Sequence, residues 1–484
     1  MNHPQMTQLR NPEIILPHIA LDYRRDSEFS FVNIILFLVG SFLLLISEAS
    51  PSLLIAASFF FCVGWFTLWI PKLGGKWERF IYTRVFLVGF LSAGISAAYR
   101  IFFGDVQGDA SVFFELASSG ASGLSITQIA SISEGSLAVV IWRNLFDLMA
   151  IFGFPRDQYI GVLSNVLFVA ISAVVAIKIV KLIYGFDILR FKILTLMYAT
   201  CGLFYVFSGI FIRDSLVLLS VTLLVYVWVY FLKTPDFGIR FTLLLISTVL
   251  STSIFGFLRS EFVFVPSALL IPAIAAISFE QKLEYRKSES YLLLFFGIVL
   301  ISVCYVIFGE GIQLALSRGS LNYLDQSLTE SNASSLGTSL ILNQPFPIKV
   351  VLGSLYLYIM PIPIWVGFQL DSSYHLFKSL NLIFVIFLSP LFLLALHHLW
   401  TNKLSRSSPI LFMLFISISF TLVVAATSLE SRHLGAFYVP IFIFALLPNM
   451  QNSIIRSNYL QVLYSVIVLF IVIHFAWLFL KLSF

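Results

Sequence analysis

The chain has 484 residues, of which 59% are hydrophobic and 11% charged, with 51 Phe, 29 basic and 24 acidic residues, and a mean hydropathy of +0.97. So little charge and so much apolar surface exclude an ordinary soluble globular domain and indicate a polytopic membrane protein. The net charge of +5 is not a nucleic-acid signal, because basic residues in such chains mark cytoplasmic loops and so report topology.

Residues 1–29 are polar and lack the apolar region of a cleavable signal, which predicts a cytoplasmic N-terminal segment and an uncleaved first span near 30–47. A second span at 52–70 returns the chain to a loop carrying Lys72, Lys76, Arg79 and Arg84, and a third at 84–103 leads outward. There the stretch "FFGDVQGDASVFFELASSG" carries Asp105, Asp109 and Glu115 with no Lys or Arg among them. The outer region 104–158 then contains a run at 136–153 whose Arg143, Asn144 and Asp147 are too polar for lipid, so an amphipathic interfacial or re-entrant helix is expected.

The next basic cluster, Lys178, Lys181, Arg190 and Lys192, requires one crossing before it, near 159–177. Further spans follow near 193–210, 214–232, 241–258, 262–278 and 291–308, with the basic loops between them on the inner side. A long outer segment, 309–368, ends in the proline-broken "PFPIKVVLGSLYLYIMPIPIW", read as a second re-entrant piece, and spans near 379–399, 409–427, 434–448 and 459–480 complete the chain. The expectation is an all-α bundle of about 13 spans, residues 30–484 forming one membrane domain.

On this topology the basic residues left on the outer side are mostly arginine: Arg100, Arg143, Arg156, Arg213, Arg259, Arg318 and Arg432, against Lys349, Lys378 and Lys481. A planar guanidinium grips phosphate oxygens bidentately where lysine offers a point charge. Polar residues gather at the same boundary in "FSGIFIRDSLV" with Arg213 and Asp214, "FGFLRSEFVF" with Arg259 and Glu261, and "TSLESRHLGAFYVP" with Glu430, Arg432 and His433. Charges near membrane depth are costly, so this convergence suggests a hydrated cavity for a polar ligand.

Glycosyl transfer from a polyprenyl-phosphate or -diphosphate donor would use such a set. One carboxylate, Asp109 with Asp105 assisting, would deprotonate the acceptor hydroxyl, and Arg213, Arg259 and Arg432, with His433 and Glu261, would bind substrate and leaving phosphate. The plainer reading of "GDAS" is a helix N-cap, and of the Arg–acid pairs, local ion pairs. Cys62, Cys201 and Cys304 sit in apolar runs without CxxC spacing, and no Walker loop, dinucleotide fingerprint or HExxH motif occurs.

The "GDVQGDASVFFELA" loop, the "SGIFIRDSLVLL" helix start, the proline-rich "QPFPIKVVLGSLYLYIMPIP" and the late "SRHLGAFYVPIF" together resemble the polytopic C-type-fold membrane glycosyltransferases and the bacterial surface-polysaccharide, O-antigen-like polymerases. That resemblance implies a base, and a divalent-cation ligand where a metal is used, at Asp105 and Asp109, and diphosphate-binding roles for Arg213, Arg259 and Arg432. In the C-type enzymes the acids follow the first span, whereas here they follow the third. The expected partners are a polyprenyl-linked sugar donor, a glycan or lipid-linked acceptor and membrane lipid, in a bacterial-type inner membrane with the site facing out. A lipid-linked sugar flippase or transporter is the alternative from another class, disfavoured by the absence of paired inverted halves.

Overall fold

The computed structural model of the chain describes residues 31–47, 52–105, 108–118, 135–233, 238–259, 262–280, 295–299, 302, 305–306, 341, 344–360, 364–369, 371–402, 405–427 and 429–483. The N-terminal segment, most of the span expected at 291–308, the loop at 309–340 with Arg318, and Glu261 lie outside the described residues.

The described residues are helical, with no strand among them. Helices α1 (Phe31–Ile46) and α2 (Ser52–Thr67) come first, and α3 (Lys76–Phe103) packs against both. Next come the short α4 (Gly108–Ser118), α5 (Ser136–Ile151), and the long α6 (Gln158–Tyr184). α7 (Ile188–Thr200) and α8 (Gly202–Gly209) meet at a 60° bend, followed by α9 (Asp214–Lys233), α10 (Ile239–Leu258), α11 (Val265–Ala268) and α12 (Leu270–Phe279). The last third holds α13 (Phe346–Ile359), α14 (Ser373–Thr401), α15 (Ser408–Thr427), α16 (Ser431–Gly435), α17 (Tyr438–Ala445) and α18 (Ser453–Ser483).

Among the described residues seven helices, α3, α6, α9, α10, α14, α15 and α18, are long and apolar enough to cross a bilayer, and an eighth crossing is added if the bent α7–α8 pair is one span. The chain is a multi-pass membrane protein. Several runs expected to span are shorter: α1 and α2 have 16 residues each, about 24 Å of helix against a hydrocarbon core of about 30 Å. The run at 434–448 folds as α16 and α17, and every residue of α17 is buried inside the protein. Its hydropathy is met by protein and not by lipid, along a path that leads from His433 at one end of the bundle to the Leu446 carbonyl bonded by Arg190 at the other.

α5 matches its amphipathic pattern, burying Ala138, Val139, Trp142, Phe146 and Met149 along one side while Leu148 and Ile151 stay exposed. Trp142 packs on Phe211 with ring centroids 4.1 Å apart, joining α5 to the segment between α8 and α9.

Two buried asparagines hold the breaks that flank α8. Asn381 of α14 accepts the Leu203 N–H at 3.4 Å and donates to the Tyr438 hydroxyl at 3.2 Å, so the backbone freed where α7 stops is capped from another helix. Asn165 of α6 donates to the carbonyls of Ile210 and Ile212 at 3.1 and 3.0 Å and accepts from Ser215 Oγ at 2.7 Å. Backbone polar groups inside a membrane protein must be satisfied internally, and each stranded group costs about 1–3 kcal/mol. Asn165 thereby fixes the extended turn that carries Arg213 and starts α9.

Candidate functional site

Alternation of chain direction brings the end of α3, α4, the start of α9, the end of α10, the start of α14 and the segment after α15 to one end of the bundle. At the opposite end Lys181 pairs with Glu78, and Arg190 pairs with Asp187 while donating to the Leu446 carbonyl.

At the first end, Arg259 caps the C-terminus of α10 and is buried. Its Nη1 donates to Asp214 Oδ1 at 3.1 Å, and its Nη2 faces His433 Nε2. Because a guanidinium only donates, Nε2 accepts and the imidazole proton sits on Nδ1. Burial, with Arg259 and Arg432 alongside, holds His433 well below the usual histidine range, so it is neutral at physiological pH.

Arg432 Nη1 pairs with Asp109 Oδ2 at 2.9 Å, the Asp109 side chain being 59% exposed and that of Arg432 25%. Arg432 Nε is buried and has no hydrogen-bond partner among the described residues. Asp109 stands in the first turn of α4, where the helix dipole favours a carboxylate. The Arg213 guanidinium lies 5.6 Å from the Phe113 ring of the same helix.

A second buried group adjoins Arg432. Glu430 Oε1 accepts from the Tyr374 hydroxyl at 2.7 Å and pairs with Lys378 Nζ at 2.9 Å. Burial pushes the Glu430 carboxyl up, but Lys378, Arg432 and the Tyr374 hydrogen bond more than offset it and hold it down to about 2. A depressed carboxyl contributes stability that is present above its ordinary value, near 4.3, and lost as pH falls toward the folded value. We expect the thermal midpoint in detergent to fall between about pH 4.5 and 2, with that acid slope flattened in Glu430→Gln. A variant as acid-sensitive as the parent would remove Glu430 from the acid transition.

Asp105 takes a different partner, the residue before Tyr374. It is buried, and its Oδ2 accepts from the Ser373 backbone N–H at 3.0 Å and from Ser373 Oγ at 2.6 Å, closing the first turn of α14 from the end of α3. Asp105 and Asp109, grouped by their spacing, therefore face different partners: a helix N-terminus and a guanidinium. Glu115 is exposed on α4. Among the described residues no three His, Cys, Asp or Glu side chains converge as a metal site, and no step is assigned to a cation.

The structure thus brings together Asp109, Arg213, Asp214, Arg259, Glu430, Arg432 and His433 at one end of the bundle. Lys378 and Tyr374 were missed as members. Lys378 reads in sequence only as an outer basic residue, and its Lys-x51-Glu separation from Glu430 carries no helical or strand periodicity that would pair them. Compared with known proteins, the chain matches no family model, no curated protein and no solved structure. The reading of the site therefore rests on its own chemistry.

Proposed function

We propose that this chain is a membrane glycosyltransferase that uses a polyprenyl-phosphate- or polyprenyl-diphosphate-linked sugar donor at the outer face of a bacterial-type inner membrane, in cell-surface polysaccharide synthesis. The observation that carries the reading is an exposed carboxylate, Asp109, paired with a guanidinium whose buried Nε has no hydrogen-bond partner among the described residues, beside two further arginines and a neutral histidine. With about 13 crossings, basic loops inside and this end outside, the site would face the lipid-linked donor.

In the proposed reaction the donor phosphate binds Arg432 and draws it from Asp109. Asp109 then takes the proton of the acceptor hydroxyl, and the acceptor oxygen forms a bond to the anomeric carbon. The anomeric carbon–phosphate oxygen bond breaks with its electron pair on the phosphate, whose charge Arg432 and Arg213 stabilise. Arg259 holds His433 and Asp214, and so positions the start of α9 beside the phosphate.

The test compares lipid-linked and surface glycans in cells with the intact gene, a deletion, or Asp109→Asn at matched protein level. Glycans uniformly short by one sugar in both altered strains identify a single-sugar transferase; single repeat units accumulating without long chains identify a polymerase of the same pathway. Unchanged glycans in the deletion strain overturn both. Movement of a lipid-linked sugar by the purified protein with no bond formed would instead establish the transporter alternative.

A further inference from the structure

A cavity of ≈ 270 Å³ opens beside the arginine-bearing site, between the end of α3, α4, the start of α6 and the break after α8. Its polar lining comes from Ser96, Arg100, Asp105, Ser111, Gln158 and Tyr159. This set mixes hydroxyls, an amide, one cation and one carboxylate, so the formal charges cancel. Arg100 Nη1 donates to Gln158 Oε1 at 2.9 Å, which fixes both side chains at the rim, and Asp105 is held in place through Oδ2 by Ser373. The wall behind them is apolar, with Val162 and Phe211 both buried.

We infer that this cavity binds a neutral polyhydroxylated ring, the acceptor sugar, as a subsite chemically distinct from the phosphate-binding arginines. Resting on the function proposed above, this adds where the acceptor lies and what recognises it. Donors and acceptors set around an apolar wall suit a pyranose, whose edge is polar and whose face is apolar; the volume is near the lower end of small-ligand sites, which run roughly 300–1,000 Å³. An anion gains little here because Asp105 offsets Arg100. A prenyl tail gains little either, and it has a better match elsewhere. The cavity of ≈ 330 Å³ between α1, α2 and α3 is walled by Phe37, Phe61, Phe86 and Phe90.

The two subsites are joined through the same two segments. Ser111 lines the cavity two residues after Asp109 on α4, and Phe211 lines it two residues before Arg213. Two residues of extended chain span at most about 7 Å. Asp109 therefore stands at the border, with the acceptor on one side and the phosphate on the other. An acceptor hydroxyl reaching out of the cavity meets the carboxylate before it meets the donor.

The experiment uses the purified full chain in detergent. Saturation-transfer NMR is recorded with free glucose, galactose, mannose and N-acetylglucosamine in turn, and thermal shifts are recorded with inorganic diphosphate. The expected result is binding of at least one monosaccharide, weakened at least about tenfold (about 1.4 kcal/mol) by Ser111→Trp, which fills the mouth from an exposed helix position, and measurably by Tyr159→Phe, with the diphosphate shift unchanged in both. Arg432→Ala should do the reverse, losing the diphosphate shift and keeping the sugar signal. Diphosphate binding with no monosaccharide bound, or sugar binding untouched by Ser111→Trp, overturns the subsite while leaving the arginine site standing. Sugar binding lost on Ser111→Trp with no diphosphate shift in the parent supports the subsite and removes the phosphate site instead.

Discussion

Arg259→Met should be among the most damaging single substitutions in this protein, costing about 3–5 kcal/mol, because it removes the guanidinium that both Asp214 and His433 face and leaves a carboxylate buried without it. The magnitude follows from burial. The Arg259 and Asp214 side chains are 7% and 6% exposed, so solvent cannot take over the lost partner as it would for a surface pair, which is worth about 0–1 kcal/mol. Equilibrium unfolding in mixed detergent micelles would measure the loss. Asp214→Asn in the same background should restore part of it, since the stranded charge is then gone. A single variant as stable as the parent would mean that the buried pair does not hold the α9–α10 junction.

Gly202→Ala should be comparably severe for a different reason. A methyl group there would fall on the Phe377 carbonyl oxygen and the Asn381 backbone nitrogen, and 2.7 Å from Asn381 Cα. Overpacking costs about 1–3 kcal/mol where side chains can yield, and more where they cannot. Here the obstacle is the backbone of α14, so α8 and α14 must separate and the Asn381 cap on α8 is lost with them. The contrast is Gly104→Ala: its φ is 68° but nothing lies within 4 Å, so only left-handed backbone strain of about 1–2 kcal/mol applies. Thermal midpoints of both variants, side by side, separate the two mechanisms. A Gly202→Ala protein no less stable than Gly104→Ala would show that α8 does not rest on α14 as closely as the geometry requires.

Both effects arise at breaks in helices, and the breaks are where the candidate site is built. A continuous helix through 188–233 would satisfy its own backbone and expose nothing. By stopping at Thr200 and Gly209, the chain frees carbonyls and N–H groups that Asn381 and Asn165 then take up. The second break turns Arg213 and Asp214 toward Phe113 and Arg259. Asn165 and Asn381 lie in otherwise apolar runs, and neither stood out in the sequence. A polar residue within a span is a functional or structural signal only when its partner is known, and these partners lie 45 and 57 residues away.

The candidate site was legible in the sequence to an uneven degree. Arg213, Arg259, Arg432 and His433 could be picked out because each is a polar residue at the end of an apolar run, where the cost of burying charge makes chance placement uncommon. The separation of Asp105 from Asp109 could not. Four residues apart in the chain, they read as a pair, yet Gly104 in the left-handed region ends α3 and α4 begins at Gly108, so one acid closes the first turn of α14 and the other meets Arg432.

What the sequence determined by itself was the solvent each segment prefers. Its hydropathy, the amphipathic 136–151 and the position of basic residues follow from transferring side chains one at a time from water, and that quantity is local. Which apolar run meets lipid and which meets protein was decided only by the tertiary structure, because a lipid tail and a leucine are equally apolar neighbours. Residues 438–445 are as hydrophobic as a span and lie wholly inside. The pairing of Arg259 with Asp214 and His433, of Arg432 with Asp109, and of Lys378 with Glu430 likewise belongs to the fold. Coulomb energy depends on distance in space, and distance in space is what helix packing sets.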